Sequence, residues 1–265
     1  MTRLDAALAA RGLARSRTHA ATLIAEGLVS VDGRPVVKAS TLVTDDTAIA
    51  VDGGDQYVSR GAHKLIAALD GFGVPVDGRL ALDMGASTGG FTQVLLERGA
   101  RRVLAVDVGH DQLAPQLATD SRVTVVEGFN VRHMTAHTLS DATAEPTRPD
   151  LVVGDLSFIS LTMVLPAVAE TAASDADIIL LIKPQFEVGR TAVRGGLVTN
   201  PTARVDAVER VLWSAHDSGL GTLGIRPSPL LGTHGNTEFL AHLAAGRGTD
   251  PSEWTEQIAH LAGGR

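Results

Sequence analysis

No cysteine occurs in the 265 residues, which excludes a disulfide framework, a thiolate metal site and a cysteine nucleophile. Aromatic side chains are scarce, with one tyrosine, two tryptophans and six phenylalanines, so an otherwise ordinary apolar content leaves the core to aliphatic residues. Long apolar runs are missing as well. Leu151-Val152-Val153 and Ile178 to Ile182 are strand-sized and far too short to span a bilayer. At the amino terminus Arg3 is followed by a mixed helical pattern instead of an apolar block, so no secretory leader is read there. A soluble, cytoplasmic protein is the expectation. Net positive charge is absent too: a formal charge of −7 argues against a protein that coats nucleic acid with its whole surface, while leaving room for a local basic face. The length suits one large domain, or a large and a small one.

The most informative stretch is Asp83-Met84-Gly85-Ala86-Ser87-Thr88-Gly89-Gly90-Phe91. Arg79 to Leu82 before it reads as a short apolar strand, and Phe91 to Arg98 has helical spacing that ends at Gly99. A strand, a glycine turn and a helix let the backbone approach a ligand and offer the N–H groups of the helix start. A dinucleotide fingerprint would need glycine where Ser87 stands. The acid at the strand end, Asp83, repels a pyrophosphate but suits a cofactor with an amino group and a sulfonium, such as S-adenosylmethionine. The plain alternative is a tight strand-to-helix turn of the kind any α/β protein contains.

Residues 1 to 51 differ in texture. Leu4 and Leu8 mark a short helix ending near Gly12, Ser16 caps a second with Ala20, Leu23 and Ile24 on one face, and Leu28 to Val36 reads as strand, Asp32-Gly33 turn, strand. Ile49 to Val51 supplies a last strand. Over residues 1–38 the basic residues outnumber the acidic six to three, the reverse of the whole chain. This segment resembles the small RNA-binding module of ribosomal protein S-four, on R-L-D at 3–5, L-A-R-S-R at 13–17, I-x-x-G-x-V at 24–29 and V-D-G at 31–33. The resemblance implies RNA binding, with Arg3, Arg15, Arg17 and Arg34 facing phosphates; scattered surface arginines on an unrelated small domain are the competing reading.

Residues 52–58 form a polar, glycine-containing linker, and 59–265 a second domain. Tyr57 to Leu65 opens a helix running to about Phe72. Strands near 79–84, 102–107, 122–126, 151–155 and 178–183, with helices between, predict a mostly parallel, doubly wound α/β sheet. Asp107, about twenty residues past the glycine turn, suits a ribose diol or caps the next helix. Asn130 offers an amide to an adenine edge or is simple turn chemistry. Asp155 and Lys183 close two apolar strands at the edge where such sheets bind ligands. Lys64 by itself reads as a solvated helix charge, and Glu238 opens the last strand.

Taken together, V-S-R-G-A-H-K-L at 58–65, D-x-G-A-S-T-G-G-F at 83–91, D-L-S-F-I-S at 155–160, K-P-Q-F-E at 183–187 and G-N-x-E-F at 235–239 resemble the TlyA family of bacterial ribosomal RNA 2′-O-methyltransferases, also labelled hemolysin A. The order Lys64, Asp155, Lys183, Glu238 is similar to the K-D-K-E tetrad of FtsJ-like enzymes; Thr88 and Phe91 stand where the wider pattern has Pro and Trp, and neither change removes a functional group. The resemblance implies an S-four-like module followed by a Rossmann-like class I methyltransferase domain. It further implies S-adenosyl-L-methionine held by Asp83, Gly85, Ala86, Ser87, Thr88, Gly89, Gly90, Phe91, Asp107 and Asn130, methylation of a ribose, cytidine among the bases, in 16S or 23S ribosomal RNA, and no metal. Lys183 is then assigned to removing or steering the hydroxyl proton, Lys64 to positioning the 2′ and 3′ hydroxyls, and Asp155 and Glu238 to electrostatic support. A non-catalytic RNA-binding protein with the same fold is the alternative, against which the complete tetrad counts. A membrane-active hemolysin would need an amphipathic or spanning segment, and none is found. The sequence sets no oligomeric state.

Overall fold

Every side chain from Leu80 to Met84 is buried, and the same is true of Leu151 to Gly154 and Asp177 to Ile182. Near-continuous apolar runs of this kind mark strands covered on both faces. The computed structural model describes residues 1–14, 16–25, 27–51, 57–189, 192–232 and 235–263, and the chain divides into two units, Met1–Gln56 and Tyr57–Arg265. The proposed linker residues 52–56 lie outside the described residues.

The first unit contains β1 (Thr2–Arg3), α1 (Leu4–Ala10), α2 (Arg17–Ala25), β2 (Val29–Val31), β3 (Arg34–Pro35), β4 (Leu42–Val43) and β5 (Ile49–Val51). Leu4, Leu8, Leu23 and Ile24 pack with Val29 and Val43 into a small core. Ser16 starts α2 by accepting the His19 N–H at 3.1 Å, the capping expected of that residue. At the hairpin Asp32 and Gly33 have φ of 49° and 76°, the left-handed pair a two-residue turn demands. Strand β2 lies between β3 and β5. The β1–β4 pair was not anticipated, because two residues per strand leave no alternation to read.

The second unit begins with α3 (Gly61–Phe72), four residues later than the expected start at Tyr57, followed by β6 (Leu80–Met84), α4 (Gly90–Glu97), β7 (Arg102–Val106), α5 (Pro115–Ala118) and β8 (Val123–Val126). Then come α6 (Ala136–Thr143), β9 (Leu151–Gly154), α7 (Leu165–Thr171), β10 (Asp177–Ile182), α8 (Pro184–Glu187), α9 (Pro201–Asp217), β11 (Leu220–Pro227), β12 (Phe239–Ala245) and α10 (Thr255–Gly263). The sheet order is β11-β12-β10-β9-β6-β7-β8. From β8 to β10 the neighbours are parallel, and β12 and β11 complete the sheet antiparallel.

Leu65 and Leu69 of α3 and Val94 and Leu95 of α4 cover one face; Leu165, Val208, Leu212 and Ile258 from α7, α9 and α10 cover the other. Strand order reverses between β6 and β9, which opens a crevice beyond their carboxyl ends. At the opposite edge Asp177 accepts from Arg79 at 2.7 Å and Arg247 at 3.0 Å and pairs with His242 at 2.9 Å. Burial would raise this carboxyl's pKa, but the hydrogen bonds from His242, Arg79 and Arg247 outweigh it and hold the group well below the usual range. Among the described residues no helix is long and apolar enough to cross a membrane.

Candidate active site

Strand β6 hands the chain to the glycine loop at its carboxyl end. Gly85 has φ +79, and a Cβ there would press on Leu156 at 3.1 Å, so both conformation and space call for glycine. Ser87, also left-handed at φ 48°, is held in place by Asp107, whose Oδ2 accepts the Ser87 N–H at 2.9 Å while Oδ1 accepts the Gly109 N–H at 2.8 Å. Asp107 thus ties two loops together.

Beyond these strand ends lies a cavity of about 610 Å³ lined by Gly85, Ser87, Asp107, Asn130 and Asp155 among others. None of its lining residues is Lys, Arg or His, so it offers an acidic wall to a cation. Asn130 lines it while its Oδ1 caps the turn Val131–His133 through the Arg132 N–H at 3.0 Å. The expected turn chemistry and a place in the site therefore coincide.

Ala86, Thr88, Gly89, Gly90 and Phe91 do not line the cavity; Gly90 and Phe91 start α4 and are buried against the scaffold. Asp83 is likewise not a wall residue. It is fully buried, with Oδ2 accepting from Thr92 Oγ1 at 2.7 Å and Oδ1 without a hydrogen-bond partner among the described residues. Burial, with help from the nearby charges of Asp155 and Asp107, pushes its pKa up to about 7. Asp107 and Asp155, which do line the cavity, are the carboxylates that suit a ligand carrying positive charge, with Asp83 buried away from the wall.

The four charged tetrad residues form two ion pairs. Lys64 lies on the buried face of α3 with Ala68, not in solvent, and its Nζ donates to Glu238 Oε2 at 2.6 Å. The Lys183 Nζ is 2.7 Å from Asp155 Oδ1, an ionic approach lacking hydrogen-bond alignment; it donates to Ser157 Oγ at 2.8 Å. Strand register explains the meeting. Ile182 pairs with Phe239, so the next residues along, Lys183 and Glu238, end adjacent strands, while β9 delivers Asp155 beside β10. Pro184, which has no N–H for the ladder, stops β10 at this point and opens α8. Gln185 on that helix donates to Glu238 Oε1 at 3.4 Å. A Cβ at Gly232 would collide with Glu238 Oε1.

Ser157, Gln185 and the Phe158–Phe186 pair were missed from the sequence. Their signal was only that each follows a strand-end charge. Phe158 is 92% exposed on the cavity rim, with its ring centroid 5.3 Å from that of Phe186.

In the first unit Arg3 donates to both Asp5 oxygens at 3.1 Å, and Arg17 reaches the same carboxylate at 3.3 Å. The Arg3 hydrogen bond is the main cause that lowers the Asp5 pKa to about 2. These two guanidiniums are thus fixed as a pair instead of standing apart. Arg34 is exposed on the hairpin, and Arg15 lies outside the described residues.

Comparison with known proteins matches this geometry to a family. The FtsJ-like methyltransferase family matches residues 57–245, and the S4 domain matches residues 2–49. The chain is 51% identical over 244 residues to the 16S/23S rRNA (cytidine-2′-O)-methyltransferase TlyA of Mycobacterium tuberculosis, covering 91% of this chain and 89% of that one. It is 36% identical over 241 residues to Hemolysin A of Brachyspira hyodysenteriae, covering 91% and 98%. A solved structure of a candidate hemolysin from Streptococcus thermophilus superposes with a TM-score of 0.76 at 36% identity, over 98% of this chain and 94% of that one. With an S4 domain ahead of a doubly wound sheet that gathers two lysines and two carboxylates at its carboxyl edge, the chain belongs to the FtsJ-like methyltransferases and, among them, to the TlyA family.

Proposed function

We propose that this protein transfers the methyl group of S-adenosylmethionine to the 2′-hydroxyl of a cytidine ribose in 16S or 23S ribosomal RNA, the substrate class named for the M. tuberculosis relative. The observation that carries the reading is the two lysine–carboxylate contacts at the carboxyl edge of the sheet, one of them made by Asp155 of the acid-lined cavity wall. S-adenosylmethionine, when bound, supplies a methyl carbon on a sulfonium. Gly85 and Ser87 of the loop, with Asp83 buried beneath them, would face its cationic amino-acid end, Asp107 its ribose and Asn130 its base.

Lys183 would orient the 2′-hydroxyl toward that methyl carbon and take up or redirect the hydroxyl proton. Asp155 and Ser157 hold the Lys183 Nζ in position. Lys64, fixed by Glu238, places the neighbouring hydroxyls. Exposed Phe158, backed by the half-buried ring of Phe186, offers a face on which a nucleobase stacks. The first unit would bring ribosomal RNA to the enzyme through Arg3, Arg15, Arg17 and Arg34, and such a substrate sets its work in the cytoplasm.

The test is a map of 2′-O-methyl positions in both ribosomal RNAs from cells with and without the protein, repeated on subunits treated with purified protein. A cytidine methylated only in its presence supports the reading; identical maps reject it.

A further inference from the structure

One buried carboxylate outside the tetrad ties the two halves of the site together. Glu187 ends α8, four residues after Lys183, and is 4% exposed. Its Oε2 accepts from Ser160 Oγ at 2.5 Å and its Oε1 from the Leu161 backbone N–H at 2.9 Å. Ser160 is itself the cap of the turn Leu161–Met163, and Leu161 is buried in the core. The segment from Asp155 to Ser160 is therefore held at one end by β9 and at the other by Glu187.

That segment carries Asp155 and Ser157, the two partners of Lys183. It also carries Phe158 at φ +65, a conformation a bulky residue keeps only when its surroundings enforce it. On the other side, Arg210 of α9 donates to the Glu187 backbone oxygen at 2.8 Å and anchors α8. Burial raises the pKa of the Glu187 carboxyl, against the opposing pull of the Leu161 N–H and Ser160 hydroxyl. Packing alone would favour an apolar side chain here, since a buried carboxylate bears a desolvation cost.

We infer that Glu187 is a positioning residue for methyl transfer: through Ser160 and Leu161 it keeps the 155–160 loop in register with the end of β10, so that Asp155 and Ser157 stay against the Lys183 Nζ. The inference rests on the reaction proposed above and adds a residue that never touches the substrate.

The experiment measures single-turnover methyl transfer to ribosomal subunits at saturating subunit and S-adenosylmethionine. It compares wild type, Glu187→Ala, Glu187→Gln, Ser160→Ala and the Ser160→Ala/Glu187→Ala double variant. Each rate is normalised to the fraction of protein that titrates with cofactor, and each protein is melted. Glutamine keeps an acceptor for the Leu161 N–H and a donor toward Ser160, so Glu187→Gln stays within about threefold of wild type. Glu187→Ala falls by roughly 10- to 100-fold with the subunit KM unchanged. Ser160→Ala falls between them, and the double variant is no slower than Glu187→Ala, as expected of two residues acting as one unit.

A Glu187→Ala rate within threefold of wild type overturns the inference. So does a glutamine variant as slow as alanine, or a double variant whose losses multiply. If Glu187→Ala does not fold, an unchanged rate in Ser160→Ala rejects the role and a reduced one supports it. Wild type that methylates neither ribosomal RNA rejects the reaction itself and this inference with it, whereas active wild type with indifferent variants rejects the inference alone.

Discussion

Lys64 and Glu238 lie 174 residues apart in the chain and 2.6 Å apart in the fold. Their side chains are 11% and 2% exposed, so removal of either strands a charge away from water. Glu238→Ala is expected to cost about 3 kcal/mol of stability. The combined Lys64→Met/Glu238→Leu variant should recover most of that loss but no methyl transfer. Urea unfolding read beside single-turnover rates tests this; a double variant as unstable as Glu238→Ala would show that charge stranding is not the cause.

Lys183 pairs with a carboxylate whose side chain is 23% exposed, so its loss leaves Asp155 in contact with water. Lys183→Ala should melt close to wild type and bind cofactor and RNA nearly as well, while methyl transfer slows by about 10²- to 10⁴-fold. A folded, cofactor-bound variant working near the wild-type rate removes Lys183 from the chemistry.

The pKa of Asp83, raised to about 7 from the ordinary carboxylate range, makes stability depend on pH with a definite sign. Between about pH 4 and pH 7 the folded protein retains a proton that the unfolded chain has released, so stability falls as pH rises through that window and levels off above it. Asp83→Asn should lose that slope. A cationic ligand in the cavity beside buried Asp83 favours its ionised form, so cofactor binding below pH 7 should also release a proton, which calorimetry in buffers of different ionisation enthalpy detects. An unchanged slope in the variant would assign the pH dependence elsewhere.

Asp107 already accepts the Ser87 and Gly109 N–H groups. Replacing it by alanine frees two loops of the cavity as well as removing the contact expected to a ribose. Cofactor affinity should drop by roughly 10- to 100-fold, the equivalent of about 1.5–3 kcal/mol for charge-assisted hydrogen bonds. Equal affinity for Asp107→Ala and wild type in a titration excludes the residue from the site.

Arg34 is exposed on the hairpin of the first unit. If it contacts a phosphate, Arg34→Ala should weaken RNA binding across sequences and flatten the plot of log affinity against log salt by about one ion contact. A parallel plot for the variant shows that the hairpin does not touch the backbone.

Much of the fold was legible because its determinants are local. The burial of β6, β9 and β10 follows from continuous apolar runs, and the hairpin turn from Asp32-Gly33, whose left-handed φ values a short polar residue and a glycine accept. Lys64 was ambiguous by itself, since one lysine in a helix reads as solvated until the face it occupies is known. The start of α3 was placed too early, because Tyr57 to Arg60 continue the apolar and polar mixture without a side-chain cap to mark the boundary.

The sequence by itself determined the strand–glycine–helix stretch and the charged residues at strand ends, since both are set by neighbours along the chain. Only the tertiary structure decided which lysine meets which carboxylate, that Asp83 sits beneath the loop and not on the cavity wall, that Arg3 and Arg17 share Asp5, and that Glu187 reaches Ser160. Those outcomes depend on strand order and register, which bring distant residues to one edge, and on burial, which no single stretch of sequence sets.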